Sequence, residues 1–223
     1  MNGMRGCSAY GAWVMTCGGG TRWDWTWPRR DVGGYDRRDG HYRITNSDYE
    51  RESCKKVRAD IERAAQAVRA AAEFDWTWTV NDLPPFCGQV GWQFSGLDEQ
   101  VPAVVTNLEV NRPDVSVFVA DISTTELSRA IDEISFRASD VVLGRSDLEP
   151  ELDEVFDALV DRMFELLGQR PTDWWIEPTR GLRWDLPGLV VRAQIGVSSV
   201  WVYLVSPAYQ QWNDEYEQSA EDE

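Results

Sequence analysis

The chain is poor in histidine: His41 is the only one among 223 residues, and residues 59–223 contain none. A Ser-His or Cys-His nucleophile pair is therefore impossible in the larger part of the chain. The sequence also lacks GxGxxG, GxxxxGKS/T, HExxH and GxSxG, the patterns of dinucleotide sites, phosphate-binding loops, zinc peptidases and serine hydrolases. These absences predict a protein that is not an enzyme and binds no cofactor.

Cysteine is scarce and unfavourably spaced for metal binding. No Cys-x-x-C pair occurs among Cys7, Cys17, Cys54 and Cys87, so a zinc site lacks ligands at the usual spacing. No apolar run approaches the roughly 18 residues of a membrane-spanning helix. We expect reduced thiols and a cytoplasmic protein. The alternative is a lipid anchor at Cys17, because AWVMTC after Arg5 loosely resembles a lipoprotein processing site.

One acidic stretch resembles a calcium-binding loop without its essential residues. In DLEPELDEVFDA, which starts at Asp147, Leu152 occupies the glycine position and Ala158 the position of the bidentate glutamate. The sequence therefore predicts the start of a helix there and no metal site. A carboxylate-based enzyme stays open as an alternative, because the separation of two carboxylates cannot be deduced from sequence spacing.

Charge is divided unevenly along the chain. Residues 1–58 contain 11 basic and 7 acidic residues, a net charge of +4, whereas residues 59–223 contain 11 basic and 31 acidic residues, a net charge of −20. Nucleic-acid binding requires clustered Lys and Arg to neutralise phosphates, so the acidic region argues against it. The same charge favours a basic protein partner, and the alternative is that it only maintains solubility.

Three regions of the chain differ in composition and in the periodicity of their apolar residues. Residues 1–46 are rich in Gly, Arg and Asp without a sustained apolar period, which predicts a flexible or poorly ordered leader. Residues 47–212 are predicted to form a single domain. Residues 213–223 form an acidic tail.

Three capping patterns predict where helices begin. Ser47 with Glu50 precedes an amphipathic helix, and Thr79 with Asp82 precedes a short helix that ends at Gly91. Ser146 with Glu149 precedes a long helix that ends at Gly168. The first helix carries apolar residues on one face at Val57, Ile61, Ala64, Val68 and Ala71. The long helix carries a stripe at Leu148, Leu152, Val155, Leu159, Met163 and Leu166.

Strand-like runs rich in β-branched and aromatic residues lie between the helices. Three are predicted between Trp92 and Ile122, one begins near Asp132, and three occupy residues 181–206, linked by Pro187-Gly188 and Ser198-Ser199. Hairpin-length links between grouped strands predict an α+β fold, with a mainly antiparallel sheet packed against two main amphipathic helices.

The tetrapeptide DWTW occurs twice. Trp76 and Trp78 precede the cap at Thr79, where we expect them to anchor the helix pair in the core, each burying about 150–250 Å². Trp25 and Trp27 are followed by Pro28-Arg29-Arg30 and lack such a cap. We interpret the first copy as coincidence or a decayed fragment.

Three blocks carry a family resemblance: FDWTWTVNDLP at 74–84, FELLGQRPT at 164–172, and GLRWDLPGLVVRAQIGVSSVWVYLVSPAYQQW at 181–212. They resemble an uncharacterised bacterial family, a domain of unknown function, over about residues 57–212, loosely between Trp92 and Asp147. Such proteins resemble those encoded in genomes that are rich in secreted polymorphic toxins. The resemblance implies toxin immunity or secretion chaperoning and supplies no catalytic residue.

Three functions are therefore expected in order. The first is an immunity protein that binds a basic toxin; its candidate residues are Glu151, Glu154, Asp161 and Glu165 on one helix face, and Asp214 and Glu215 in the acidic tail. The second is a secretion chaperone with an apolar groove near Trp174-Trp175 or Trp212. The third is the carboxylate enzyme. Simple solvation of both acidic segments is the plain alternative.

Overall fold

The computed structural model describes residues 56–96, 99–120, 126 and 128–221. The predicted leader and the Ser47 and Glu50 capping box lie outside these residues. Four α-helices occur within them: α1 (Ile61–Glu73), α2 (Leu83–Val90), α3 (Glu149–Leu167) and α4 (Pro207–Glu221). A 3₁₀ turn, Val80–Asp82, precedes α2. The strands are β1 (Gln93–Ser95), β2 (Ala103–Val105), β3 (Asp114–Val119), β4 (Ile131–Arg137), β5 (Asp173–Trp175), β6 (Gly181–Leu186), β7 (Leu189–Ile195) and β8 (Val200–Val205).

The eight strands form one antiparallel sheet in the order β1-β2-β3-β4-β8-β7-β6-β5. In each half of the described chain, helix precedes a four-stranded antiparallel meander: α1 and α2 precede β1–β4, and α3 precedes β5–β8. The two meanders meet where β4 pairs with β8. Ser135 and Tyr203 are partners at this central junction. The predicted α+β class and antiparallel sheet are confirmed.

Helices α1 and α3 pack on each other and against β7 and β8. Alternation along the strands turns every second side chain towards these helices. The largest fully buried side chains are Trp184, Phe86, Phe136 and Phe156. The expectation of two main helices is too simple, because α2 packs on α1 and β1, and α4 packs on β4 and β7.

Two predicted helix starts need correction. Residues 57–60 are not helical: Ala59 forms a β-bridge with Ser139, and the Asp60 carboxylate accepts the Arg63 N–H (3.3 Å), so α1 begins at Ile61. Helix α3 begins at Glu149 with Leu148 as its N-cap, and no side chain caps it. The predicted cap Ser146 lies two residues before this N-cap, away from the position at which a side chain caps a helix, and Pro150 is compatible with the first helical turn.

The other helix signals are confirmed. The Asp82 carboxylate accepts hydrogen bonds from the backbone N–H groups of Thr77 (2.9 Å) and Thr79 (3.3 Å). Gly91 and Gly168 have φ values of 73° and 67°, a left-handed conformation that ends α2 and α3. Strand β5 was not predicted. Most of the predicted acidic tail belongs to α4.

Trp76 and Trp78 pack against the core, as predicted. Their rings stack with centroids 4.8 Å apart, and the Trp76 ring lies 4.9 Å from Phe86. The Trp76 indole N–H donates to the Ala71 carbonyl at the end of α1 (2.8 Å). Trp25 and Trp27 lie outside the described residues.

Candidate interaction surfaces

The outward side of α3 carries carboxylates at spacings of three, four and four residues, which places them along one side of the helix. These residues are Glu154, Asp157, Asp161 and Glu165, and all four are exposed. Three of them are ion-paired: Glu154 with Lys56 (3.1 Å), Asp157 with Arg180 (2.5 Å) and Glu165 with Arg162 (2.8 Å). We call these four residues the α3 face.

Asp161 differs from its neighbours. No salt bridge involves its carboxylate within the described part of the chain. Partial burial raises the pKa of Asp161, and the negative charges of Asp157 and Glu165 raise it further. The α3 face therefore holds a carboxylate that is repelled by its neighbours and has no salt-bridge partner among the described residues. Three guanidinium groups, those of Arg145, Arg162 and Arg180, pair with other acids on the same helix.

Glu151, predicted on the same face, is tied into the fold. It is a quarter exposed, and its carboxylate accepts the Val57 N–H (2.8 Å) and a hydrogen bond from Arg145. The Arg145 guanidinium, followed by the Val57 N–H, lowers the pKa of Glu151. The structure thus brings Glu154, Asp161 and Glu165 together on an exposed surface, whereas Glu151 joins α3 to the chain that precedes α1.

Asp214 and Glu215 occupy different environments on α4. The half-buried Asp214 carboxylate accepts from Arg183 of β6 (2.9 Å) and from Gln210 (2.7 Å). Burial raises the pKa of Asp214, but these two donors outweigh it, and the net pKa is lowered. Glu215 is exposed and accepts from Gln211 (2.9 Å). Asp214 therefore fastens α4 to the sheet, while Glu215 faces solvent.

The exposed side of α4 is aromatic. Tyr209, Trp212 and Tyr216 stack in sequence with ring centroids 5.9 and 5.8 Å apart. Trp212 is 56% exposed and Tyr216 is 65% exposed. The sequence prediction named Trp212 but missed the two tyrosines. The spacing of three and four residues would place these rings on one face of a helix, but the residues were not predicted to be helical.

The predicted apolar groove near Trp174-Trp175 divides between two surfaces. Successive strand residues point to opposite faces of a sheet, so these rings lie on opposite faces of β5. Trp174 is 50% exposed, whereas Trp175 lies over Gly181 of β6, where an added Cβ would be 2.2 Å from the indole. The pair therefore does not form one apolar surface.

A polar network covers part of the sheet face opposite α1 and α3. Arg192 donates to Glu133 and lies 5.1 Å from the Tyr203 ring, and Arg137 lies 4.0 Å from the Trp201 ring. Burial raises the pKa of Glu133, and the Arg192 charge opposes this shift. The sequence analysis missed this network, because cross-strand partners on β4, β7 and β8 are far apart in sequence.

Residues 62–206 match a family model described as a family of unknown function (DUF6301). The match covers more than half of the chain. The chain belongs to the DUF6301 family. Neither the curated proteins nor the solved structures include a significant match to it. The family description assigns no activity, so membership supports the predicted relationship and leaves the association with toxin loci as a proposal.

The DUF6301 match spans most of α1, all of α2 and α3 and the eight strands, and it ends at Ser206, directly before α4.

Among the described residues of this DUF6301 protein, no group of three or more His, Cys, Asp or Glu side chains is arranged to hold a metal ion. No described helix is long and apolar enough to cross a membrane. Burial raises the pKa of the free Cys87 thiol to about 11.

Proposed function

We propose that this DUF6301 protein is a non-enzymatic acidic binding protein that docks a basic protein partner on the α3 face. The supporting observation is Asp161, whose pKa is raised first by partial burial and then by the negative charges of Asp157 and Glu165, and whose carboxylate forms no salt bridge within the described residues. Like charges at helical spacing destabilise an isolated protein. A cation supplied by a partner removes that repulsion on binding.

The charge of the whole acidic region supports the same partner chemistry. Residues 59–223 carry a net charge of −20, which attracts a basic protein from a distance and accelerates its encounter. The exposed acids of the α3 face then place the negative charge where the partner docks. We expect the association rate, more than the dissociation rate, to depend on salt.

In the finer form of the proposal, the partner is a toxin and binding neutralises it. An acidic protein neutralises a basic toxin when docking covers the surface with which the toxin engages its own target. Protection of a cell that expresses the toxin is the property that separates this form from simple binding.

The experiment compares two variants that remove the same charge. The α3 variant combines Glu154→Gln, Asp161→Asn and Glu165→Gln. The control variant combines Glu73→Gln, Asp75→Asn and Glu109→Gln, exposed acids outside α3. The match is close, because Glu154 and Glu165 are 67% and 64% exposed and Glu73 and Glu109 are 59% and 72% exposed, and each of the four is paired with one basic residue.

The partner is isolated by co-purification at low salt, identified by mass spectrometry, and measured against both variants by surface-binding kinetics. We expect a basic partner, association that slows as salt rises, and a further slowing of about tenfold for the α3 variant at low salt. The control variant should associate at nearly the wild-type rate. Equal rates for the two variants would remove the α3 face from the proposal, and an acidic partner would refute the proposal itself.

A second candidate is a secretion chaperone or adaptor, favoured by the aromatic side of α4. Trp212 and Tyr216 are each more than half exposed, and exposed apolar patches often mark interaction sites. A chaperone of this kind would bind an apolar segment of its cargo. Its binding would then strengthen, or stay constant, as salt concentration rises.

A further inference from the structure

Helix α4 presents its side chains in the reverse of the ordinary arrangement. A surface helix normally packs an apolar stripe against the core and exposes its polar side. Here Gln210 is 5% exposed and donates to Asp214, which pairs with Arg183 on β6. Trp212 and Tyr216 lie instead in solvent. Polar contacts therefore hold α4 on the sheet while its largest apolar side chains remain uncovered.

The aromatic ladder, defined as Tyr209, Trp212 and Tyr216, is already stacked in the chain alone. Adjacent ring planes differ by only 17° and 19°. The first turn of α4 is fixed as well, because Ser206 accepts the Tyr209 N–H at its hydroxyl oxygen and the Gln210 N–H at its carbonyl. Rings that are already positioned lose little conformational freedom on binding, which favours affinity.

Only acidic charges accompany the ladder. Helix α4 contains no lysine or arginine, and although Asp214 is paired with Arg183 of β6, Glu215 and Glu217 are exposed. A planar guanidinium stacks on aromatic faces and donates to carboxylates at the same time. Helix α4 offers both kinds of contact, because it carries aromatic rings and carboxylates. An apolar partner would desolvate the neighbouring carboxylates without compensation, and a second copy of α4 would bring like charges together.

We propose that the aromatic ladder binds an arginine-bearing segment of the basic partner. This inference rests on the proposed function and adds to it a second contact surface and the chemistry of the segment that occupies it. Helix α4 begins immediately after the residues that match DUF6301, so membership of the family assigns nothing to this surface. Tryptophan and tyrosine are the residue types that most often dominate binding energy at protein interfaces.

The test uses the full chain and three fluorescein-labelled peptides of equal length, in which arginine, lysine or leucine alternates with serine. Fluorescence anisotropy measures the Kd of each peptide. The ladder variant combines Trp212→Ala and Tyr216→Ala. The control is Trp174→Ala, because Trp174 is 50% exposed on β5 and Trp212 is 56% exposed. Circular dichroism and urea unfolding verify that both variants remain folded.

We expect the arginine peptide to bind more tightly than the lysine and leucine peptides. The ladder variant should weaken arginine-peptide binding by about tenfold, and Trp174→Ala should change it by less than about twofold. The inference is overturned if both variants lose affinity equally, if neither does, or if the leucine peptide binds most tightly. It is also overturned if sedimentation shows that the wild type self-associates and the ladder variant does not.

Failure of this inference is distinguishable from failure of the proposed function. The same peptides and the co-purified partner are measured against the α3 variant. If the ladder variant binds both as the wild type does while the α3 variant does not, the ladder inference is wrong and the basic-partner function stands. If the partner is acidic, the proposed function is wrong whatever the peptides show.

Discussion

The indole N–H of Trp78 donates to the carbonyl of Gly188 at 2.8 Å, although 110 residues separate them in the sequence. Trp78 precedes the turn that leads to α2, and Gly188 lies in the hairpin between β6 and β7. Trp78 has a φ of 56°, in the left-handed region that non-glycine residues seldom adopt. This hydrogen bond and the stacking on Trp76 hold it there and join the two halves of the fold.

Trp78→Phe keeps an aromatic ring and removes the hydrogen bond. We expect the free energy of unfolding to fall by about 1 kcal/mol, the usual contribution of one such bond. Urea unfolding followed by circular dichroism measures it. Trp174→Phe, at an exposed position on β5, should change stability by less than about 0.5 kcal/mol. Equal losses would show that the contact with Gly188 contributes little.

Gly181→Ala tests the close approach of Trp175 to the sheet. An added Cβ would lie 2.2 Å from the Trp175 indole, so the ring must leave its position over β6. We expect a loss of about 1–3 kcal/mol in unfolding free energy, typical of overpacking. Combining Gly181→Ala with Trp175→Ala should restore much of this loss, because the clash is then absent. An additive effect would exclude the steric explanation.

Glu151→Gln should lower stability and weaken its dependence on acid. The Arg145 guanidinium and the Val57 N–H lower the pKa of Glu151 below its ordinary value of 4.5. The folded state thus favours the ionised form, and the stabilisation present at neutral pH is lost as pH falls below 4.5 and through the folded-state pKa. Urea midpoints between pH 3 and pH 7 should converge for wild type and variant at the acidic end.

Asp161→Asn should act in the opposite direction. The pKa of Asp161 is raised above 3.8, so the folded state favours its protonated form and ionisation costs stability at neutral pH. The variant should therefore unfold at a higher urea concentration than the wild type at pH 7. This advantage should shrink as pH falls through the raised pKa. A variant that is less stable at pH 7 would indicate a stabilising contact at Asp161.

Cys87 should resist thiol reagents while the protein is folded. Its side chain is buried, and burial raises the pKa of the thiol to about 11, so little thiolate is present at pH 7. A variant that combines Cys7→Ser, Cys17→Ser and Cys54→Ser isolates its signal. We expect modification only after denaturation. Rapid modification of the folded protein would show that the α2 region opens readily.

Predictability from sequence differs between elements for physical reasons. The long apolar stripe of α3 and the alternation in β6, β7 and β8 are local patterns, and they identified these elements. Hydrogen bonds between distant residues instead determined the start of α1, where Val57 leaves the helical pattern to bond Glu151. Helix α4 was missed because its buried side is polar and its exposed side is aromatic.

The sequence by itself determined the α+β class, the acidic charge and the absence of histidine chemistry from residues 59–223, because composition and short-range periodicity carry that information. Only the tertiary structure decided which acids are bonded within the fold and which remain exposed. The Glu151 carboxylate accepts hydrogen bonds from Val57 and Arg145, and the Asp214 carboxylate accepts from Arg183 and Gln210. Asp161 and Glu215 remain exposed. That distinction depends on distances between residues separated by up to 94 positions, which no local pattern encodes.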